Sequence, residues 1–312
     1  MLTTISNRDG VVMELRHLEV FLAIAEEGTL TAAGERLHLV QSGVSSTLRA
    51  LESELGAPLF TRTARRAVLT DAGLALLPEA RATLAAADRA RQAVAETLAE
   101  IRGPLVVGTM TPLRVIDLPR LLARFQAAYP QVTVSIRAFP NGSAGLIRAL
   151  TDGMLDVAFV SVTTPPPAGV ELRDLARLPM RLILPPGHPY AYAPDVSLAE
   201  LSEDRWIESP PGFGNRAITD EAFARASLQR SITLETADVT MMPAYVRAGL
   251  GVALVPGFVP LDGVRVQRLR DEELCWTMSL ATATARSGRR VVRAFCEAVA
   301  NEMRLVTQQD HP

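Results

Sequence analysis

LRHLEVFLAIAEEGTLTAAGERLHLVQSGVSSTLRALESELGAPLFTRTARRAVLTDAG, residues 15–73, is the stretch whose reading decides the fold. Leu18, Phe21, Leu22 and Ala25 recur at three- and four-residue spacing, so they form one buried helical stripe, and Gly28 ends that helix. A second short helix is expected from Thr31 to Leu37, packed through Ala32, Ala33 and Leu37. The turn His38-Leu39-Val40 leads to a third helix from about Gln41 to Leu55. At 100° per residue, Val44, Leu48, Leu51 and Leu55 share its core face, while Ser42, Ser46, Arg49 and Ser53 lie opposite. That outer face carries hydroxyls and an arginine but no carboxylate; Glu52 and Glu54 fall on the flanks.

A helix face built for water usually mixes both signs of charge, whereas a face built for a phosphate-lined groove must avoid negative charge. Small residues let a helix approach base edges, and Ser and Gln bond to bases or phosphates. After this helix, Leu59-Phe60 and Val68-Leu69 bracket the basic loop Thr61-Arg62-Thr63-Ala64-Arg65-Arg66, the pattern of a wing whose cationic tip reaches the backbone or the minor groove. From Arg36 to Arg66 there are five arginines against two glutamates. The order predicts a winged helix-turn-helix that binds double-stranded DNA. Gln41, Ser42, Gly43, Ser45, Ser46, Thr47 and Arg49 are its candidate groove residues, and Arg62, Arg65 and Arg66 its candidate backbone or minor-groove contacts.

The runs His17–Phe21, Ala32–His38, Gln41–Ser45, Leu51–Arg62 and Leu69–Gly73 resemble the LysR-type transcriptional regulators, and the architecture of that family accounts for the chain beyond its first dozen residues. Two departures stand out. Family members often place Ser or Thr just before the Gln; Val40 has no side-chain oxygen, so a cap worth about 1 kcal/mol is missing. Many members also carry Arg where this chain has Ser46, so a bidentate arginine–guanine contact is not expected there.

From Asp71 to Arg102 the chain is rich in alanine. Leu77, Leu84 and Leu98 fall on a seven-residue step broken by Arg91, and Ala80, Ala87, Val94 and Ile101 lie on the partner step. These are a and d positions of a dimerisation helix, the alternative being a helix packed on its own domain. Gly103-Pro104 stops it. The resemblance implies antiparallel pairing with a partner's helix, a dimer or a dimer of dimers, and an operator that is an interrupted inverted repeat with T and A at its ends. For an activator it also implies contact with RNA polymerase.

Beyond Gly103, short apolar runs alternate with helical periods, which argues for an α/β fold with largely parallel sheets. Candidate strands are Leu105–Gly108, Val132–Ile136, Val157–Val160, Leu182–Leu184 and Val252–Val255. Candidate helices are Leu118–Tyr129, Ala144–Asp152, Arg216–Ser227 and Met242–Ala248. The proline-rich run Thr163–Gly169 is expected near a crossover into a second lobe, with the return near residues 265–276. The family resembles periplasmic binding proteins in this half. Ligands of two-lobed α/β folds sit beyond strand ends, near helix N-termini. That places Thr109, Met110, Thr111, Phe139, Ser143, Ser161, Phe213, Asn215 and Met241 around a small organic, anionic-ended effector.

The expected organisation is thus an extension at 1–14, a winged helix-turn-helix at 15–72, a linker helix at 73–102 and a two-lobed effector domain at 103–312. Lobe 1 is placed at about 103–165 and 272–312, and lobe 2 at about 166–271.

Composition bounds the alternatives. With 312 residues, 48% apolar and 21% charged, the chain is ordinary globular material of two or three domains. Net charge is −2 and every basic residue is arginine or histidine, so affinity for nucleic acid must come from a local patch. Cys275 and Cys296 are far apart in sequence, read as small buried apolar residues or, less simply, as a redox pair. Residues 1–12 lack a signal-peptide pattern, and no long apolar run spans a membrane, so a cytoplasmic protein is expected. None of His17, His38, His188 and His311 sits in a metal or catalytic motif, and neither a P-loop nor a G-x-S-x-G elbow occurs; Gly249-Leu250-Gly251 has the wrong spacing for a dinucleotide fingerprint. The reading is therefore a non-enzymatic, cofactor-free regulator. The alternatives are a small-molecule-binding module with incidental DNA affinity and an enzyme with a DNA-targeting head.

Overall fold

The computed structural model describes residues 13–62, 66–95, 101–110, 113–270 and 273–309, which divide into two compact units at Val94/Ala95.

In the N-terminal unit, α1 (Leu15–Glu27), α2 (Leu30–Leu37) and α3 (Gln41–Leu55) close on one apolar core. Leu18, Phe21, Ile24, Ala33, Val44, Leu48 and Leu51 are fully buried in it. Gly28 ends α1 in the left-handed conformation, and Thr29 caps α2 by accepting from Ala32 N at 3.1 Å. The turn between α2 and α3 is tight: His38 takes φ +54°, and Leu39 N donates to Gly34 O at 2.8 Å. Leu55 departs from expectation. It is 42% exposed, because it is the last residue before the Gly56 cap and the chain leaves the core there. The wing is the antiparallel pair β1 (Phe60–Arg62) and β2 (Ala67–Leu69), with Ala67 N bonded to Gly28 O at 2.8 Å.

The long helix α4 (Asp71–Ala95) keeps its course through Pro78. Its first half packs on the unit's own core: Ala80 is fully buried, and Leu76, Leu77 and Leu84 lie against α1–α3. Val94 is 70% exposed. Leu98 lies outside the described residues. Ile101 and Arg102 are not helical, and Ile101 packs against the core of the second unit, so it cannot serve as a seam position.

The C-terminal unit contains β3 (Gly103–Gly108), α5 (Leu118–Ala128), β4 (Val132–Arg137), α6 (Gly142–Thr151), β5 (Val157–Val160), β6 (Val170–Leu184), β7 (Arg205–Glu208), α7 (Gly214–Arg225), β8 (Ser231–Glu235), α8 (Met242–Arg247), β9 (Ala253–Pro256), β10 (Arg265–Gln267), β11 (Cys275–Ala283), α9 (Thr284–Ser287) and α10 (Arg290–Gln309). Strands run in the order β10-β6-β11-β5-β3-β4, with β9 also on β6 and β7 paired to β8. The expected strand Leu182–Leu184 is only the end of a fifteen-residue strand. The pairings β3–β4, β3–β5 and β7–β8 are parallel, but β6 and β11 pair antiparallel with each other, β6 also with β9 and β10, and β11 with β5. The sheet is therefore mixed rather than largely parallel.

Those two long strands are the crossovers. Residues Val170–Pro179 of β6 pair with β11 in lobe 1, and Met180–Ile183 pair with β9 in lobe 2. The outgoing crossover therefore lies within β6 near Pro179, well after Thr163–Gly169, and residues 166–178 belong with lobe 1. Phe125, Phe159 and Phe295 pack one end of the main core; Trp206, Phe223 and Leu254 pack the other. The edge-to-face pairs Phe125–Phe295 and Trp206–Phe223, at 5.3 and 5.1 Å, anchor them. The amphipathic run Val291, Val292, Phe295, Val299 builds α10, a helix absent from the sequence-based assignment.

Candidate DNA-reading helix and effector cleft

The outer face of α3 is made of exposed Gln41, Ser42, Ser46 and Arg49, with Gly43, Ser45 and Thr47 half-buried beside them. Some of these polar groups are already engaged. Ser46 Oγ donates to Gly43 O at 2.9 Å, and Arg49 donates to Ser45 O at 3.1 Å and to Ser45 Oγ at 3.3 Å. Gln41, Ser42 and Thr47 side chains make no bond to any described residue.

The flanking acids turn away from this face. Glu52 Oε1 accepts from Leu59 N at 2.8 Å and Phe60 N at 3.4 Å, so it organises the approach to the wing, a role the sequence did not reveal. Glu54 lies 3.9 Å from His17 of α1. Of the five arginines counted along the sequence, Arg36 is held by Glu26 at 2.6 Å and Glu27 at 3.2 Å on α1. The bond to Glu26 raises its pKa further and fixes it as a structural cation. Arg66 is exposed beside β2; Arg65 and the Arg62 side chain lie outside what the structure describes.

In the C-terminal unit a cavity of about 500 Å³ opens between α6, the segment 161–167 and the start of α7. Three expected residues line it: Ser143, Ser161 and Phe213. Ser143 Oγ accepts from Ser161 N at 2.9 Å, which ties the start of α6 to the end of β5. The others lie elsewhere. Thr109 Oγ1 bonds Met110 O, Met110 packs on the main core and Phe139 packs on the α6 cluster. Asn215 is buried and donates to Ser209 Oγ at 2.9 Å, and Met241 is exposed on a 3-10 turn. Thr111 lies outside the described residues.

The walls the sequence reading missed are Ile147, Arg148 and Thr151 of α6, Asp152 at its C-terminal cap and the Pro165–Pro167 run. The proline run, read as a connection, is a rigid apolar wall. The α6 residues carry no motif, only the outward face of an amphipathic helix.

Glycines bring the lobes into contact at this cavity. Ala144 N of lobe 1 donates to Gly212 O of lobe 2 at 3.0 Å. A Cβ on Gly214 would stand 2.4 Å from Ser161 O, and one on Gly142 would stand 2.8 Å from the Phe213 ring. Only hydrogen fits at either place.

Behind α7 lies a charged cluster. Glu208, almost wholly buried, accepts from Arg230 at 2.9 Å, and Arg216 bridges Asp220 and Glu235. Burial pushes the Glu208 carboxyl up to about 7, against the pull of Arg230 and Arg216. The folded state therefore holds a proton that the unfolded chain has released above its ordinary carboxylate range. Stability from this group is full at pH 4.5 and is lost as pH rises towards 7, by roughly 3 kcal/mol at most. Melting of the C-terminal unit from pH 5 to 8 should fall over this window, and Glu208→Gln should flatten that fall; an unchanged slope would remove Glu208 as its source. Burial also pushes the Cys296 thiol up to about 11, leaving it protonated, and both cysteines are free.

Among the described residues no group of three or more His, Cys, Asp or Glu could hold a metal, and no helix is long and apolar enough to cross a membrane. Residues 15–74 match the model of the bacterial regulatory helix-turn-helix protein, lysR family, and residues 98–304 match the LysR substrate binding domain. The Transcriptional activator protein LysR of Escherichia coli (strain K12) is 32% identical over 288 residues, 91% of either chain. The HTH-type transcriptional regulator ShiR of Corynebacterium glutamicum (strain R) is 34% identical, covering 78% of this chain and 82% of that one. The crystal structure of full-length CbnR complexed with its target DNA is 27% identical, with a TM-score of 0.62 over 93% of this chain and 100% of that one. The winged head, the two-lobed domain and these matches along nearly the whole chain agree: the protein belongs to the LysR family, DNA-binding transcriptional regulators that carry an effector-binding domain.

Proposed function

We propose that this regulator binds an interrupted inverted repeat as a homodimer or a dimer of dimers, and that a small effector in the cavity between its lobes changes how it holds DNA. The cavity is the observation that carries this reading. It is lined from both lobes, so a ligand touching both has different free energies in open and closed arrangements, which is the requirement for a switch. Its lining of Ile147, Phe213 and the prolines beside Arg148, Ser161 and Thr163 suits a small organic molecule with an apolar body and an anionic end. The chain is then a sensor and not an enzyme, and contacts RNA polymerase where it activates.

On the DNA side, Gln41, Ser42, Ser45, Ser46, Thr47 and Arg49 enter the major groove, with Gly43 allowing close approach, and Arg62, Arg65 and Arg66 hold phosphates or the minor groove. The part of α4 beyond the stretch packed on the unit's own core, where Val94 is exposed, pairs the two copies.

The test begins with fragments of genomic DNA retained by the full-length protein at physiological salt. Fragments sharing an inverted repeat are expected; no enrichment over competitor DNA would defeat the reading. On the recovered repeat, Arg62→Ala should weaken binding to all sequences alike and reduce the salt slope by about one. A slope equal to that of the unaltered protein would take Arg62 off the contact surface.

A further inference from the structure

We infer that Val40 is a specificity residue whose isopropyl group meets the 5-methyl group of a thymine in each operator half-site. The inference rests on the reading that α3 lies in the major groove.

Val40 is the N-cap residue of α3, with φ −70° and ψ 145°, and its side chain makes no cap bond. It is 73% exposed, whereas Val44, Leu48 and Leu51 of the same helix are at 0–1%. An apolar side chain that neither caps nor packs in the core is thus presented at the end of the helix that approaches base edges in helix-turn-helix docking. Its neighbours Gln41 and Ser42 are exposed and make no side-chain bond to the described residues, while Ser46 and Arg49 one and two turns on bond back to their own helix.

The side chain is also restricted by its own chemistry. Val40 Cγ2 lies 3.8 Å from where a Cβ on Gly43 would stand, so the isopropyl group sits beside the first turn of α3, and a β-branched residue has few rotamers to lose. Among the four bases only thymine offers an apolar group in the major groove; the other edges there are donors and acceptors that an isopropyl cannot satisfy. Val40 therefore rewards thymine and disfavours the rest.

The experiment uses the full-length protein and duplexes selected by it from a randomised pool. The selected half-site is resynthesised with deoxyuridine in place of each thymine in turn, which removes only the methyl group. At one thymine per half-site the unaltered protein should bind about fourfold more weakly, the effect of losing one buried methyl contact. Val40→Ala should bind the thymine and deoxyuridine duplexes equally. Val40→Ser should also lose the discrimination, yet raise the melting temperature of the N-terminal unit by about 4–8 °C by restoring a cap. This rise shows that the variant folds and that only the reading has changed.

Deoxyuridine at every thymine leaving binding within about twofold would overturn the inference, as would Val40→Ala keeping the full penalty. Should Gln41→Ala select the same half-site with unchanged affinity, the placement of α3 in the groove fails, and the inference with it.

Discussion

Asp156→Ala should unfold the C-terminal unit or bring it close to unfolding. Asp156 is 1% exposed, one residue before β5. Its Oδ2 accepts from Val106 N at 2.8 Å, and its Oδ1 accepts from Arg286 at 2.6 Å and from Arg289. The two guanidiniums continue outward: Arg286 donates to Gly153 O at 2.5 Å and Arg289 to Pro104 O at 2.8 Å. One carboxylate thus ties β3, β5 and the segment leading into α10. Removing it strands two largely buried cations and one backbone donor, a loss of roughly 3–5 kcal/mol for the broken ion pair alone. Against a total stability of about 5–15 kcal/mol, that is decisive. Calorimetry of the full chain should show the C-terminal transition displaced or absent. The double variant Asp156→Ala with Arg289→Met should cost less than the two changes summed, because the second removes one stranded charge. Strict additivity would mean that the cluster is not an electrostatic unit.

The N-terminal unit has a comparable weak point at Gly34, which lies in α2. Alanine in a helix interior is favoured over glycine by about 1 kcal/mol, so propensity alone predicts that Gly34→Ala stabilises. Sterics reverse the sign. The new Cβ would stand 2.7 Å from Leu39 O, a backbone atom in the turn that launches α3. The same turn is closed by the Leu39 N to Gly34 O bond, so the carbonyl cannot recede without loosening it. A net loss of about 2 kcal/mol is expected. The displaced turn shifts Val40 and Gln41, so operator affinity should fall at least tenfold even below the melting temperature. A melting temperature at or above that of the unaltered chain would show that the turn has slack and that α3 is not positioned by it.

The comparison of Leu48 with Leu55 shows why the head was legible from its residues. Helical spacing puts both on one face, and the spacing is a property of the backbone, so Leu48 is buried as read. Whether the end of a helix still faces the core depends on where the next segment goes, and Gly56 sends it away from Leu55. The heptad seam of α4 fails for a similar reason at Ile101: the period holds, but the helix does not reach that residue, and the second unit's core takes the side chain. In the effector domain, local apolar runs located β3, β4 and β5, yet β6 was seen only in its last three residues. Its first part alternates charged and apolar side chains along a sheet flank that only the pairing with β11 defines.

The cavity shows the same limit. Ser143, Ser161 and Phe213 could be placed from loops that follow strands or precede helices. Arg148, Thr151 and Asp152 could not, because they belong to the flank and C-terminal cap of α6 and acquire meaning only where that helix meets the start of α7. By itself the sequence determined the helix-turn-helix, the acid-free outer face of α3, the wing and the α/β class of the C-terminal half, because periodicity, glycine caps and charge sign act over a few residues. Tertiary structure alone decided which arginine is neutralised, where β6 crosses between the lobes, which residues line the cavity and that Asp156 carries two arginines. Those facts depend on contacts between segments up to 130 or more residues apart, such as Asp156 with Arg286, and no local pattern encodes such a contact.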